Sequence, residues 1–447
     1  MPAMQFLKWI GLGFALFVLN ACQPTPAAPA QIAQGPLVGA VTDTSANVWV
    51  RTNQAARVQI EYATDAALQN KTTSETRTTD ASSDFTTIVS IPKLAPQQTY
   101  FYNVLINDVP QLSAPYPQFQ TFAPRGSDAP FRFVILTDFR TISKITQSVD
   151  TFKRAAQEKP AFVILGGDLD HRNPTTLEEK RQMFRDLYTP ANGMEDFVNL
   201  ILKNFSLVHF WDDHDYGDNN ANKNYPYKAD SLRVLQEYFP LYPISLTGDC
   251  CQSRIGDWQT FSYGNADFFI LDSRSQRDPH LPRQSSNSML DGDDLGAQGQ
   301  REWLLNGLKH SKARWKFIVS PVIFNPTTKV NDGWGAYPHE RQLILDFIER
   351  SAISNVIILS GDLHAGAIDD GTNSGLPELV APTANDGFDK RCLTEQTGNV
   401  GKWSVGIFGD ASGTPCNGYA VVEVSAENVK LQVKNSRGNV ELEYVVK

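Results

Sequence analysis

Four apolar runs in this 447-residue chain stop abruptly at carboxylates, two of them with histidine as well. They read Phe131-Arg132-Phe133-Val134-Ile135-Leu136-Thr137-Asp138, Phe162-Val163-Ile164-Leu165-Gly166-Gly167-Asp168, Leu207-Val208-His209-Phe210-Trp211-Asp212-Asp213-His214-Asp215 and Val356-Ile357-Ile358-Leu359-Ser360-Gly361-Asp362-Leu363-His364. Short β-branched-rich runs closed by Gly or Ser predict strands buried on both faces. A doubly covered sheet gathers its strand ends along one edge, where ligands bind. Four ends carrying Asp and His therefore predict one shared site of oxygen and imidazole donors, the donor set of a metal centre.

Around these runs, helical patterns over 148–158, 177–188, 296–308 and 339–350 alternate with the strands, which is α/β organisation. Ahead of them the pattern changes to short alternating runs at 46–50, 58–62, 86–91 and 100–104, with no helix between. That predicts an all-β sandwich of immunoglobulin size over residues 36–124. Its segment Leu94-Ala95-Pro96-Gln97-Gln98-Thr99-Tyr100 resembles the tyrosine corner of fibronectin type III domains. Runs over 419–424 and 429–433 predict a terminal hairpin.

Net charge is −9 and no long basic run occurs, so nucleic acid is disfavoured as the main partner. An anionic substrate then needs local neutralisation by metal ions or a few arginines. At the start of the chain Lys8 precedes an apolar stretch over 9–19, too short to span a bilayer and of the length of a signal h-region. It ends Leu19-Asn20-Ala21-Cys22, which resembles a bacterial lipobox. The expectation is a signal peptide over 1–22, an extended unpacked Pro/Ala linker over 23–35, and a protein exported to the periplasm or cell surface. A lipid on Cys22 is its expected membrane attachment, at the outer membrane. Export makes Cys250, Cys251, Cys392 and Cys416 an even set in a disulfide-permissive compartment. Adjacent cysteines seldom pair, which leaves 250–392 with 251–416, or 250–416 with 251–392.

Gly167-Asp168-Leu169-Asp170-His171-Arg172 is similar to the GDxxxR element of calcineurin-type metallophosphoesterases. Asp213-His214-Asp215 stands where that superfamily has Asn-His-Asp/Glu, and Gly361-Asp362-Leu363-His364 where it has Gly-His-x-His. The segments around Trp211 to Asn220, Leu271-Asp272-Ser273-Arg274, Leu295 to Leu304 and Trp334 to Arg341 closely resemble the alkaline phosphatase D (PhoD-like) family. The resemblance implies an α/β fold, an α-β-β-α sandwich over residues 130–447 behind a fibronectin-III-like β domain. It also implies hydrolysis of phosphate monoesters or diesters by a metal-activated hydroxide at a two-metal site.

On that likeness Asp138, Asp168, His171 and His364 surround one metal, while Asp168, Asp213 and Asp362 hold the second with Asn219 or Asn220. His214 steadies the transition state or protonates the leaving alkoxide. Arg140 and Arg274 are candidates to clamp phosphate, and Arg172 to orient Asp168. The family usually has a cysteine ligand where Asp138 stands and a tyrosine where His171 stands. Two or three ions are therefore expected, with calcium, iron, manganese and zinc left open. The same exchanges motivate an alternative, a cell-surface binding protein whose phosphoesterase domain has lost activity. Against it, aspartate and histidine are still competent ligands.

Overall fold

The computed structural model describes residues 28–139, 150–191, 193–243, 255–280, 287–291, 296, 299–385, 401–408 and 417–447. The signal and lipobox segment, Arg140 and all four remaining cysteines lie outside the described residues, and with them the lipid-anchor and disulfide expectations.

The doubly buried runs form the middle of a nine-stranded sheet. Phe131–Leu136, Phe162–Gly166 and Ser206–Phe210 lie side by side and parallel, with Phe133 opposite Phe162 and Val163 opposite Leu207. Beyond Phe131–Leu136 follow Gly418–Val424, Val429–Asn435 and Val440–Val446; beyond Ser206–Phe210 follow Ile32–Gly39, Ser45–Thr52 and Thr86–Pro92. The fourth run, Val356–Ser360, is central to a seven-stranded sheet between Trp315–Ser320 and Glu378–Val380.

The inner faces of the two sheets meet in one aromatic layer. Phe133 stacks on Phe162 at 4.9 Å, Phe268 meets Phe133 edge-on at 5.5 Å, and Phe261 and Phe317 complete the contact. Removing each such ring from water contributes about 2 kcal/mol. Thr151–Gln157, Leu177–Leu187 and Lys228–Tyr238 cover the outer face of the nine-stranded sheet. Gln300–His310 and Pro338–Arg350 cover that of the seven-stranded sheet. The layers run helix, sheet, sheet, helix, so the strand ends of both sheets open on one shared edge. There Thr137 bridges to Thr383, and its carbonyl accepts the Ala384 amide at 2.8 Å.

Four features depart from the sequence expectation. The N-terminal β segment does not keep its strands to itself. Ile32–Gly39 pairs in parallel with Ser206–Phe210, so three of its strands extend the nine-stranded sheet, and Ala56–Ala63 and Thr99–Ile106 lie in a separate six-stranded one. The expected unpacked linker over 23–35 also ends early. Residues 32–35 are already strand, and the Gln34 side-chain amide donates to the Arg185 carbonyl at 2.5 Å. Finally, the terminal hairpin gains a third strand, Val440–Val446, and a helix, Lys228–Tyr238, lies outside the four predicted helical segments. Within the segment the Tyr100 hydroxyl accepts the Ala95 amide at 2.9 Å, the bond a tyrosine corner makes. Among the described residues no helix is long and apolar enough to cross a membrane.

Candidate metal centre

Each strand end turns sharply as soon as its sheet pairing stops. Asp138, Asp168, Asp362 and His364 all sit at φ between 52° and 61°. Non-glycine residues rarely occupy this left-handed region, which costs about 1 kcal/mol or more apiece. Four such positions on one sheet edge mark a site, because packing alone gives no reason to keep them. Gly167, at φ 82°, allows the close approach of two strand ends: a Cβ there would lie 2.6 Å from the Asp212 amide nitrogen. Asp215 then pins the ends together, accepting the amides of Asp168 at 2.6 Å, Leu169 at 3.0 Å and Asp212 at 3.1 Å.

Asp168 is the hub. Ligand atoms of Asp168, His171 and His214 lie within 4.8 Å of one another, and so do those of Asp168, Asp212 and Asp213. His171 Nδ1 donates to the Phe139 carbonyl at 2.9 Å, which makes Nε2, 3.6 Å from Asp168, the lone-pair nitrogen. Across the cleft His364 Nδ1 faces the buried Asp138 Oδ1 at 3.6 Å. The sequence-predicted set Asp138, Asp168, His171, Asp213, Asp362 and His364 thus converges on one edge, with His214 beside it. Asn219 and Asn220 line the same cleft of about 410 Å³, and the Asn220 amide donates to Asp213 Oδ2 at 2.6 Å.

The electrostatics of this cluster suit a cation. Among the described residues Asp138 Oδ1 and Asp362 Oδ2 are buried without a hydrogen-bond partner, a costly state for a carboxylate oxygen. Burial, reinforced by Asp362, pushes the Asp138 carboxyl up to about 7. Burial also lifts Asp362 to about 7, although Lys329 opposes it. Burial and then Asp213 carry Asp168 well above the ordinary carboxylate range. Asp213 goes the other way: burial opposes its charge, but Arg274 and His214 outweigh it and bring the carboxyl down to about 2. A divalent ion among these groups cancels the repulsion that raises them. The donor set of carboxylate oxygens and imidazole nitrogens suits such an ion.

Two arginine assignments need correction. Arg274 is fully buried, with Nε on Asp212 and a two-pronged pair of bonds to Asp332 at 2.8 and 3.0 Å. Three of its five N–H donors go to these carboxylates, and Asp213 and Asp362 stand 3.7 and 3.8 Å away, so its place here is a brace between carboxylates. Arg172 bonds Asp170 at 2.8 Å and Asp186 at 2.5 Å, not Asp168. His209, within the strand Ser206–Phe210, is buried with its ring 3.4 Å from that of Phe239. Sequence reasoning missed Asp332 and Lys329, which a patternless loop brings to the cleft, and Asn173, whose side-chain oxygen accepts His214 Nδ1 at 2.5 Å.

The chain is similar to known phosphatases in sequence and in fold. The sequence profile of a family described as PhoD-like phosphatase matches residues 148–443, and that of a domain of unknown function matches residues 29–124. Alkaline phosphatase D of Bacillus subtilis (strain 168) is 30% identical over 183 residues. That stretch is 36% of this chain and 31% of the relative, so the match spans under a third of the relative's length. A solved structure of PhoD superposes with a TM-score of 0.73 at 20% identity, covering 94% of this chain and 92% of that one. A purple acid phosphatase from yellow lupin (Lupinus luteus) seeds gives 0.62 at 13% identity, over 92% of this chain and 74% of that one. The likeness to both solved structures is one of fold, mixed α/β with large sheets.

Proposed function

The chain belongs to the PhoD-like phosphatase family, and from that premise we propose that it hydrolyses phosphate esters with metal ions held at the strand-end cluster. The observation that carries the proposal is the pair of buried carboxylate oxygens, Asp138 Oδ1 and Asp362 Oδ2, that have no hydrogen-bond partner among the described residues. Asp138, Asp168, His171 and His364 would hold one ion, and Asp168, Asp213 and Asp362 a second. Bound there, the ions supply acidity to a water molecule and neutralise charge on the phosphoryl oxygens. The remaining work falls to the protein. Asp215 and Arg274 fix the carboxylates in place before substrate arrives. His214, its Nδ1 proton held by Asn173, presents Nε2 as the nitrogen that carries a proton to the leaving oxygen.

Monoesters, diesters or both fit this chemistry. The proposal extends to export, on the strength of the 1–22 segment, and to a fibronectin-like β unit over 36–124, on the strength of the Tyr100 corner bond. Metal analysis together with hydrolysis of a monoaryl and a bis-aryl phosphate tests the enzymatic reading. At least one bound ion per chain and metal-dependent turnover of one ester are expected. No turnover with calcium, manganese, iron or zinc supplied would leave the inactive binding-protein reading in its place.

A further inference from the structure

Resting on the phosphatase reading, we infer that Lys329 contacts substrate, its ammonium holding a non-bridging oxygen of the phosphoryl group. Arg274 is poorly placed for that task, its side chain 0% exposed and its guanidinium ringed by Asp212, Asp213, Asp332 and Asp362. Arg277 is committed as well, to Asp332 at 2.7 Å and to the Ala221 and Asn220 carbonyls. Among the described residues lining the cleft, Lys329 is the one lysine or arginine.

Its setting suits the task. Lys329 Nζ donates to Asp362 Oδ1 at 2.5 Å, its single hydrogen-bond partner among the described residues. An ammonium carries three N–H donors, so two remain for a ligand. The side chain is 22% exposed, whereas that of Arg274 is 0% exposed, so an entering anion can reach it.

The loop that presents Lys329 is braced on both sides. At its base the Phe324 and Asn325 amides donate to Glu378 at 2.8 and 2.9 Å, and Asn325 Oδ1 accepts the Thr327 amide at 3.0 Å. Beyond it the Lys329 carbonyl accepts the Asp332 and Gly333 amides at 3.0 and 2.9 Å. Lys329 itself sits at φ 43°, a backbone state that bulky residues seldom take. A lysine serving only to neutralise Asp362 has no need of such placement at the cleft wall. Lys329 transfers no proton in this role; it acts as a fixed positive charge with spare donors.

The test uses the metal-loaded full chain and the variants Lys329→Met and Lys329→Arg. For Lys329→Met, kcat/KM should fall on the order of thirtyfold, and binding of inorganic phosphate, read by calorimetry, should weaken at least about tenfold. Metal content should match the wild type, and Lys329→Arg should recover part of both losses. Unchanged phosphate affinity in Lys329→Met would overturn the assignment. So would losses that merely track lost metal, because Lys329 would then be only a counter-ion of Asp362. Absence of wild-type turnover would count against the phosphatase reading itself, while the phosphate-binding comparison would still decide the role of Lys329.

Discussion

The nine-stranded sheet brings Asp138, Asp168, Asp212, Asp213 and Asp215 to the site, together with His171 and His214, but among the described residues no lysine or arginine of its own that bonds them. The seven-stranded side brings Arg274, Arg277 and Lys329 together with Asp332, Asp362 and His364. On that second side charges are matched at hydrogen-bond range, Asp332 by both arginines and Asp362 by Lys329. On the first side Arg274, reaching across from the other sheet, bonds Asp212 and stands 3.7 Å from Asp213, while among the described residues no arginine or lysine bonds Asp138 or Asp168. The difference shows where the protein completes its own charge balance and where it leaves balance to come from outside. Negative charge concentrates around Asp168, at the point where the two potential ligand groups overlap.

Removing the hub should have the largest effect. Asp168→Asn is expected to lower turnover at least about 10³-fold and to reduce bound metal in the same preparation, by aryl phosphate kinetics and elemental analysis. Retained activity would mean that the excess charge on the nine-stranded side is not what the chemistry uses. Next, Arg274→Met strips the bridge between the two sides and strands Asp212 and Asp332 in the interior. A loss of about 3–5 kcal/mol in urea unfolding is expected, and Arg274→Lys should restore only part, because an ammonium cannot make the two-pronged contact.

The smallest effect lies away from the ions, on the balanced side. Burial pushes the Glu378 carboxyl from an ordinary 4.5 up to about 7, although Ser360 and the Phe324 and Asn325 amides oppose the shift. Between those pH values the folded chain keeps a proton that the unfolded chain has lost. The stability this group contributes is therefore complete below pH 4.5 and is lost as pH rises to about 7. Glu378→Gln should flatten the fall in melting temperature over that window; an unchanged slope would place the titration elsewhere.

Much of this comparison was legible in the chain, and the illegible part has physical reasons. Parallel strands covered on both faces leave continuous apolar runs, so their carboxylate ends stood out, and Asp138, Asp168, Asp213, Asp362 and His364 were found without knowing how the sheets pair. Arg274 was recognised, but a sequence shows an arginine near a site and not that Asp212 and Asp332 bond it there. Lys329 and Asp332 lie in a loop with no periodicity and reach the site only through tertiary folding. The strand Ile32–Gly39 was obscured by Gly35 and Pro36 and by a partner strand far along the chain. The helix Lys228–Tyr238 did carry a signal, with Ser231, Val234, Leu235 and Tyr238 at helical spacing on its buried face. That signal was overlooked among the polar residues before it.

The central claim is that the unbalanced carboxylates of the nine-stranded side are completed by metal ions. It is tested most directly by the melting temperature of the chelator-treated protein with and without added divalent metal, alongside Asp168→Asn. Saturation at a hundred times the dissociation constant adds about 2.7 kcal/mol to stability. The wild type should therefore melt several degrees higher with metal, and Asp168→Asn should show little or none of that rise. Identical melting of the wild type with and without metal would contradict the account.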